Sequence, residues 1–227
     1  MTAAVGLYAN DRLNLPQPTA PATVPIPLVV YGGSSAVGTY VIQLAKRSNI
    51  HPIIAIAGRA QGHVTKLLEA SKGDVVIDYR KGDEAIVQGI KAALKGQKLE
   101  YAFDATAEHN SWVNICRVLD HETGKITLVL PPMDDMAGKH KDIPESIDQS
   151  MTVVGDVHGP QSDVGYLFSR YFTKGLEEGW FRGQKQEECP GGLEGIEGAL
   201  KRLKDGSASA TKFVFKIADT PGAGSGR

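Results

Sequence analysis

Apolar positions along the chain fall into short continuous runs, and each run is followed by apolar residues at helical spacing. LVVY (28–31) precedes Val37, Val41, Leu44 and Ala45, and IIAIA (53–57) precedes Val64, Leu67 and Leu68. VVID (75–78) precedes Ile86, Val87, Ile90 and Leu94, and YAFDA (101–105) precedes Trp112, Ile115, Cys116 and Leu119. ITLVL (126–130) closes the series. A strand that is apolar at consecutive positions is covered on both faces, whereas a half-exposed strand alternates. Strand and helix repeated in this way predict a parallel sheet with right-handed crossovers. The pattern thus predicts an α/β fold, a Rossmann-type doubly wound parallel sheet of about six strands in the order 3-2-1-4-5-6, with helices on both faces.

The pattern changes after residue 130. Residues 131–150 are polar without a clear period, and loops of that length are often functional. MTVVGDV (151–157) reads as the sixth strand. Val164, Leu167, Phe168, Tyr171, Phe172 and Leu176 mark a strongly amphipathic helix, and Leu193, Ile196, Leu200 and Leu203 mark another. KFVFKI (212–217) reads as a last strand. The Pro-rich stretch LPQPTAPATVPIP (15–27) predicts an extended approach to the first strand, and PGAGSGR (221–227) a disordered tail. The expected organisation is a lead-in over 1–27, one domain over 28–218 and a tail over 219–227.

Composition narrows the function classes. With 227 residues, a formal charge of −1, 41% hydrophobic and 22% charged residues, the chain has an ordinary globular balance. It offers no electrostatic footprint for nucleic acid or for an anionic membrane. No run approaches the roughly 18 apolar residues of a membrane span, and the N-terminus has no signal-peptide pattern. The two cysteines, Cys116 and Cys189, have no metal-ligand spacing and read as reduced thiols of a cytoplasmic protein.

The chemistry is carried by the turn after the first strand. Gly32, Gly33, Ser34, Ser35, Ala36, Val37 and Gly38 join it to the first long helix. A helix N-terminus offers free N–H groups and a partial positive charge, and a diphosphate docks there only where side chains leave the backbone bare. The simple G-x-G-x-x-G spacing is not met, since no glycine follows Gly33 until Gly38. The strand-turn-helix context is what points to dinucleotide binding; a merely tight structural turn is the competing reading. NAD sites place an acid about 20 residues past the turn, at the end of the second strand. Here AIAGRAQGH supplies Arg59, with His63 nearby, and no carboxylate. A cation suits a 2′-phosphate, so NADPH is the expected cofactor; a solvated loop charge is the plain alternative for Arg59.

LVVYGGSSAVG, SNIHPIIAIAG, DVVIDYRKGDE and PGGLEGIEGALKRLKDGSASATKFVFKI together resemble the medium-chain dehydrogenase/reductases. The likeness is to the zinc-independent quinone oxidoreductase and fungal trans-enoyl reductase branch. The resemblance implies that Ser34, Ser35, Ala36 and Val37 line the pyrophosphate and that Tyr79 sits beside the adenosine end. It places Thr106, Val129 and Leu130 on the nicotinamide side. It also implies a GroES-like β-barrel ahead of these residues, which has no counterpart in this chain. TAAVGLY resembles the helix that leads from that barrel into the cofactor domain. The chain therefore reads as the cofactor-binding part of a larger reductase, with the missing catalytic domain or a second copy as its partner.

The implied reaction is hydride transfer from NADPH to a quinone or an activated C=C, without a metal. The cofactor carries that chemistry and the protein orients it. No general acid is assigned; Tyr166, Tyr171 and His158 are candidates, and Tyr171 also reads as helix core. A short-chain dehydrogenase would need Y-x-x-x-K, which no tyrosine here provides. A P-loop would need G-K-[ST] after the turn, which is absent. A non-catalytic NADPH-binding module that docks on a partner is the alternative of another class.

Overall fold

Six strands run parallel in the order β3-β2-β1-β4-β5-β6. They are β1 (Leu28–Tyr31), β2 (Ile53–Ala57), β3 (Val75–Asp78), β4 (Tyr101–Asp104), β5 (Lys125–Leu128) and β6 (Asp148–Met151). The expected fold class and strand order are therefore those of the protein, a Rossmann-type sheet. These positions come from a computed structural model, which describes residues 1–132 and 139–223.

The continuous apolar runs are explained by two cores, one on each face of the sheet. Leu28, Val30, Ile53, Ala55 and Phe103 point to one face and pack with α1 (Thr2–Tyr8) and α2 (Ala36–Arg47). Val29, Tyr31, Ile54, Ile56, Ala102, Ile126 and Leu128 point to the other. There α4 (Asp83–Leu94) buries Ile86, Val87, Ile90 and Leu94, and α5 (Ser111–Cys116) buries Ile115 and Cys116. Neighbouring strand residues thus serve opposite cores, which leaves no polar face for alternation to mark. The lead-in helix α1 is fastened to α2 through the Tyr8 hydroxyl, which donates to Leu44 O (3.1 Å) and meets Ser48 Oγ (2.8 Å).

Helix α6 (Ser162–Glu177) carries the amphipathic pattern anticipated from its apolar positions. Phe168 stacks on Tyr8 at 5.0 Å between centroids, Tyr171 meets Trp180 at 4.8 Å, and Phe172 stacks on Phe181 at 4.7 Å. Tyr171 is thus part of an aromatic cluster. Leu167 and Leu176 of the same helix are exposed.

At the N-terminal edge of the sheet the polar groups are closed off. Asp74 is buried and accepts from Ile53 N (2.8 Å) and Glu69 N (2.9 Å), and its Oδ1 lies 2.8 Å from His51 Nδ1. The Pro-rich stretch is tied to this edge by Ala22 N to Ser48 O (2.8 Å) and Ile26 N to His51 O (2.8 Å).

Two boundaries differ from the sequence expectation. The sixth strand is Asp148–Met151, so only Met151 of MTVVGDV belongs to it, and Val154–His158 form a 3-10 helix. β6 is an edge strand, paired only with β5, and such a strand does not need an apolar sequence. The last apolar run forms β8 (Thr211–Phe215), which pairs in parallel with β7 (Lys185–Cys189) in a separate sheet. That sheet, with α7 (Ile196–Lys204), lies in a second compact unit, Gly183–Arg227, while the large sheet lies in the unit Met1–Arg182. The stretch 28–218 thus takes in the large sheet of the first unit and the strand pair of the second. In the polar loop, Ile143 and Ile147 are buried, and residues 133–138 lie outside the described residues. So do residues 224–227 of the expected tail, whereas residues 217–219 form a 3-10 turn. Among the described residues no helix is long and apolar enough to cross a membrane.

Candidate cofactor site

The parallel register brings the candidate residues to one edge. Tyr31 at the end of β1 lies opposite Ile56 and Asp104, Ala57 at the end of β2 lies opposite Asp78, and Asp104 lies opposite Leu128. The loops that follow these strands share the carboxyl end of the sheet, where open α/β folds hold their ligands.

The first loop is built from backbone constraints. Gly32 has φ of +75°, and a Cβ there would stand 2.1 Å from Thr106 Oγ1. At Gly38 a Cβ would stand 2.3 Å from Gly32 O, so the first turn of α2 can lie against the glycine pair only without a side chain. Gly33 is bare for another reason. A Cβ there would meet Ala55 Cβ at 3.2 Å, within the core, and its N–H already donates to Ile56 O (2.9 Å). Its bareness serves packing.

Ser35 is the N-cap of α2, and its Oγ accepts from Gly38 N (3.0 Å). Thr39 N donates to Ser35 O (2.9 Å) and Ser35 N to Gly32 O (2.8 Å). Among the described residues, the amides of Ala36 and Val37 have no acceptor. Ser34, Ser35, Ala36 and Val37 are all half-buried, so the turn that carries these two donors reaches the surface, with the positive end of the helix behind it.

The adenosine-side candidates gather at the ends of β2 and β3. A Cβ on Gly58 would stand 2.6 Å from Tyr79 Cε1, so the Tyr79 ring lies on bare backbone, and 48% of this residue is exposed. Arg59 is exposed beside it. His63, in the short helix α3 (Gln61–Thr65), has a buried Nε2 with no partner, and burial, followed by the charge of Lys66, lowers its pKa.

The nicotinamide-side candidates follow β4 and β5. Thr106 N donates to Asp104 Oδ1 (3.0 Å), Ala107 N donates to the same oxygen (2.8 Å), and Ser111 Oγ donates to Asp104 Oδ2. Asp104 is fully buried; burial raises its pKa, and the bonds from Ala107, Ser111 and Thr106 oppose that rise. Burial pushes the neighbouring Tyr31 hydroxyl up to about 12, with the charges of Asp104 and Asp83 adding to it. Apolar periodicity does not mark Asp104 as a site residue. An acid closing an otherwise apolar run, YAFD, was the available signal. Val129 is half-buried and packs against both cores, while Leu130 is exposed and its carbonyl lies 3.1 Å from His140 Nε2. Among the described residues no group of three or more His, Cys, Asp or Glu is arranged to hold a metal ion. Of the other acid candidates, Tyr166 and His158 line a separate cavity beside α6, with Met1 and Arg170.

No family model matches the chain. Among curated proteins it is 54% identical over 196 residues to Trans-enoyl reductase fsr4 of Gibberella fujikuroi, covering 86% of this chain and 56% of that protein. It is 29% identical to Trans-enoyl reductase ACTTS2 of Alternaria alternata, covering 94% of this chain and 61% of that one. The chain thus spans between half and two thirds of the length of these relatives. Among solved structures it resembles the JamJ enoyl reductase, with a TM-score of 0.68 and 15% identity over 94% of this chain and 60% of that one. It also resembles CurA from Vibrio vulnificus, solved with NADPH, with a TM-score of 0.63 and 20% identity over 93% of this chain and 60% of that one. At these identities the solved structures speak for the fold.

Proposed function

The chain is a homologue of fungal trans-enoyl reductases and matches their cofactor-binding part, and from that premise we propose that it is the NADPH-binding part of a zinc-independent oxidoreductase that passes hydride to an activated C=C or a quinone. The observation that carries this reading is the pair of open amides at Ala36 and Val37, beneath a turn whose glycines exclude side chains.

The residues present fit a dinucleotide. The amides of Ala36 and Val37, with Ser34 and Ser35 beside them, form the seat for a diphosphate. The exposed ring of Tyr79 flanks the adenosine end, and Arg59 supplies positive charge for a 2′-phosphate. Thr106, held by the buried Asp104, and Val129 and Leu130 border the nicotinamide half. When bound, the reduced nicotinamide supplies the hydride. The chain's own task is to bind and orient, and to exclude water with the apolar rim at Val129 and Leu130. The NADPH found in CurA, whose fold this chain shares, supports the same choice of cofactor. We place the binding domain within 28–218, with 1–27 as lead-in and 219–227 as tail.

Titration with NADPH and NADH, followed by intrinsic fluorescence, tests the binding half of this reading. Tighter binding of NADPH is expected, and binding of neither nucleotide contradicts it. Turnover with an enoyl thioester or a quinone tests the catalytic half. Tight binding without turnover favours a binding module that acts with a partner.

A further inference from the structure

β3 ends on Asp78, and the next two residues fold back over its carboxylate. Asp78 caps the short 3-10 helix Tyr79–Lys81, with Oδ1 accepting from Arg80 N at 3.0 Å. The Arg80 side chain then closes a fork on the same group, Nε to Oδ1 at 2.9 Å and Nη2 to Oδ2 at 2.7 Å. Gln61, at the start of α3, adds a further bond to Asp78. The arginine holds the Asp78 carboxyl well below the usual carboxylate range, so the pair stays ionised at any physiological pH.

Its position gives this fork its meaning. Asp78 lies opposite Ala57, the last residue of β2, and next to Tyr79 on Gly58. Asp78 therefore lies on the strand next to β2, whose end carries the adenosine ribose in an open α/β sheet. A bare carboxylate there accepts from ribose hydroxyls and repels a 2′-phosphate, while a guanidinium favours the phosphate. Here the two groups sit on each other. The Arg80 side chain is 49% exposed against 11% for Asp78, so the outer, cationic half of the fork faces solvent and the carboxylate lies behind it. Guanidinium has N–H donors beyond those the fork uses, directed outward in its plane.

We propose that the Asp78–Arg80 fork sets the preference between NADPH and NADH: Arg80 masks the carboxylate and offers its outer N–H groups to the 2′-phosphate. The inference rests on the reading of this edge as the dinucleotide site, and it adds to Arg59 a second determinant with a sign that can be reversed. With Arg80 removed, Asp78 is an unmasked carboxylate on the strand next to the ribose end of β2, where it repels a 2′-phosphate. With Asp78 neutralised, Arg80 is released toward the phosphate.

The test is titration of wild type, Arg80→Ala, Arg80→Gln and Asp78→Asn with each nucleotide, at fixed ionic strength. Asp78→Asn retains an acceptor for the Arg80 amide, and Arg80 is at the surface, so melting temperatures close to wild type are expected. Arg80→Ala and Arg80→Gln should weaken NADPH roughly tenfold to a hundredfold, the range for a lost charge-assisted hydrogen bond, and leave NADH equal or tighter. Asp78→Asn should leave NADPH equal or tighter and NADH unchanged, since the masked carboxylate does not reach the ribose in wild type. If wild type binds both nucleotides and the Arg80 variants leave their ratio unmoved, the fork is not the determinant. If wild type binds neither, the site reading falls and this inference falls with it.

Discussion

The two edges of the parallel sheet use similar groups to opposite ends. At the N-terminal edge Asp74 is surrounded by Ile53 N, Glu69 N and His51, and its side chain is fully buried. At the C-terminal edge the helix N-terminus is capped only in part: Ser35 satisfies Gly38 N, and Ala36 and Val37 keep theirs. A saturated polar cluster staples the fold, because each group that loses its partner bears the cost of desolvation. An edge that leaves donors open toward an accessible surface has capacity for a ligand. The contrast lies in accounting for every donor, since both edges hold charged residues and glycines.

Asp74→Ala should have the largest effect. It strips partners from two amides and from His51, at a cost of about 3–5 kcal/mol, while the nucleotide affinity of the folded fraction is unchanged. Denaturant titration with and without NADPH checks this, and a loss of affinity without a loss of stability would erase the contrast. Gly38→Ala comes next. Its Cβ would press on Gly32 O, so a cost of about 1–3 kcal/mol is expected. Because the strain falls on the phosphate turn itself, NADPH affinity should fall as well; calorimetry that finds wild-type affinity would contradict the assigned turn.

Ser35→Ala acts at the open edge. The cap is worth about 1 kcal/mol, so the free protein should be less stable by that amount. The substitution also removes a hydroxyl from the diphosphate seat, so NADPH should stabilise the variant less than it stabilises wild type. Thermal shift with and without nucleotide measures the difference. The smallest effect is expected at Asp120, on the closed edge. Its carboxyl is held at about 2 against an ordinary 3.8, mainly by the Thr123 amide and also by Glu122 and Lys98. A lowered folded pKa contributes stability above the unfolded value and loses it as the pH falls through the folded one. Asp120→Asn should therefore be slightly less stable than wild type above about pH 4, with the gap closing toward about pH 2. A gap constant with pH would assign the effect to packing.

Much of the fold was legible because of where it is buried. β1 to β5 are covered on both faces, so hydrophobicity alone outlines them and the sheet order follows from connection rules. Hydrophobicity does not outline β6 and β7, because DQSM and KQEEC are polar segments in which backbone pairing rather than apolar burial defines the strand. The phosphate turn was legible from its bareness, but the separate duties of its glycines were not. Gly33 and Gly38 look alike in sequence, and only their surroundings show that one faces the core and the other faces the backbone of the turn. Asp104 and the Asp78–Arg80 fork escaped because periodicity carries no information about which charge is buried or which two charges meet.

Whether the amides of Ala36 and Val37 hold the diphosphate is read from their resonances. In a nitrogen–proton correlation spectrum titrated with NADPH, the signals of Ala36 and Val37 should move to higher frequency and saturate together with the loss of protein fluorescence. Binding that leaves those two signals in place, while others shift, would contradict the account.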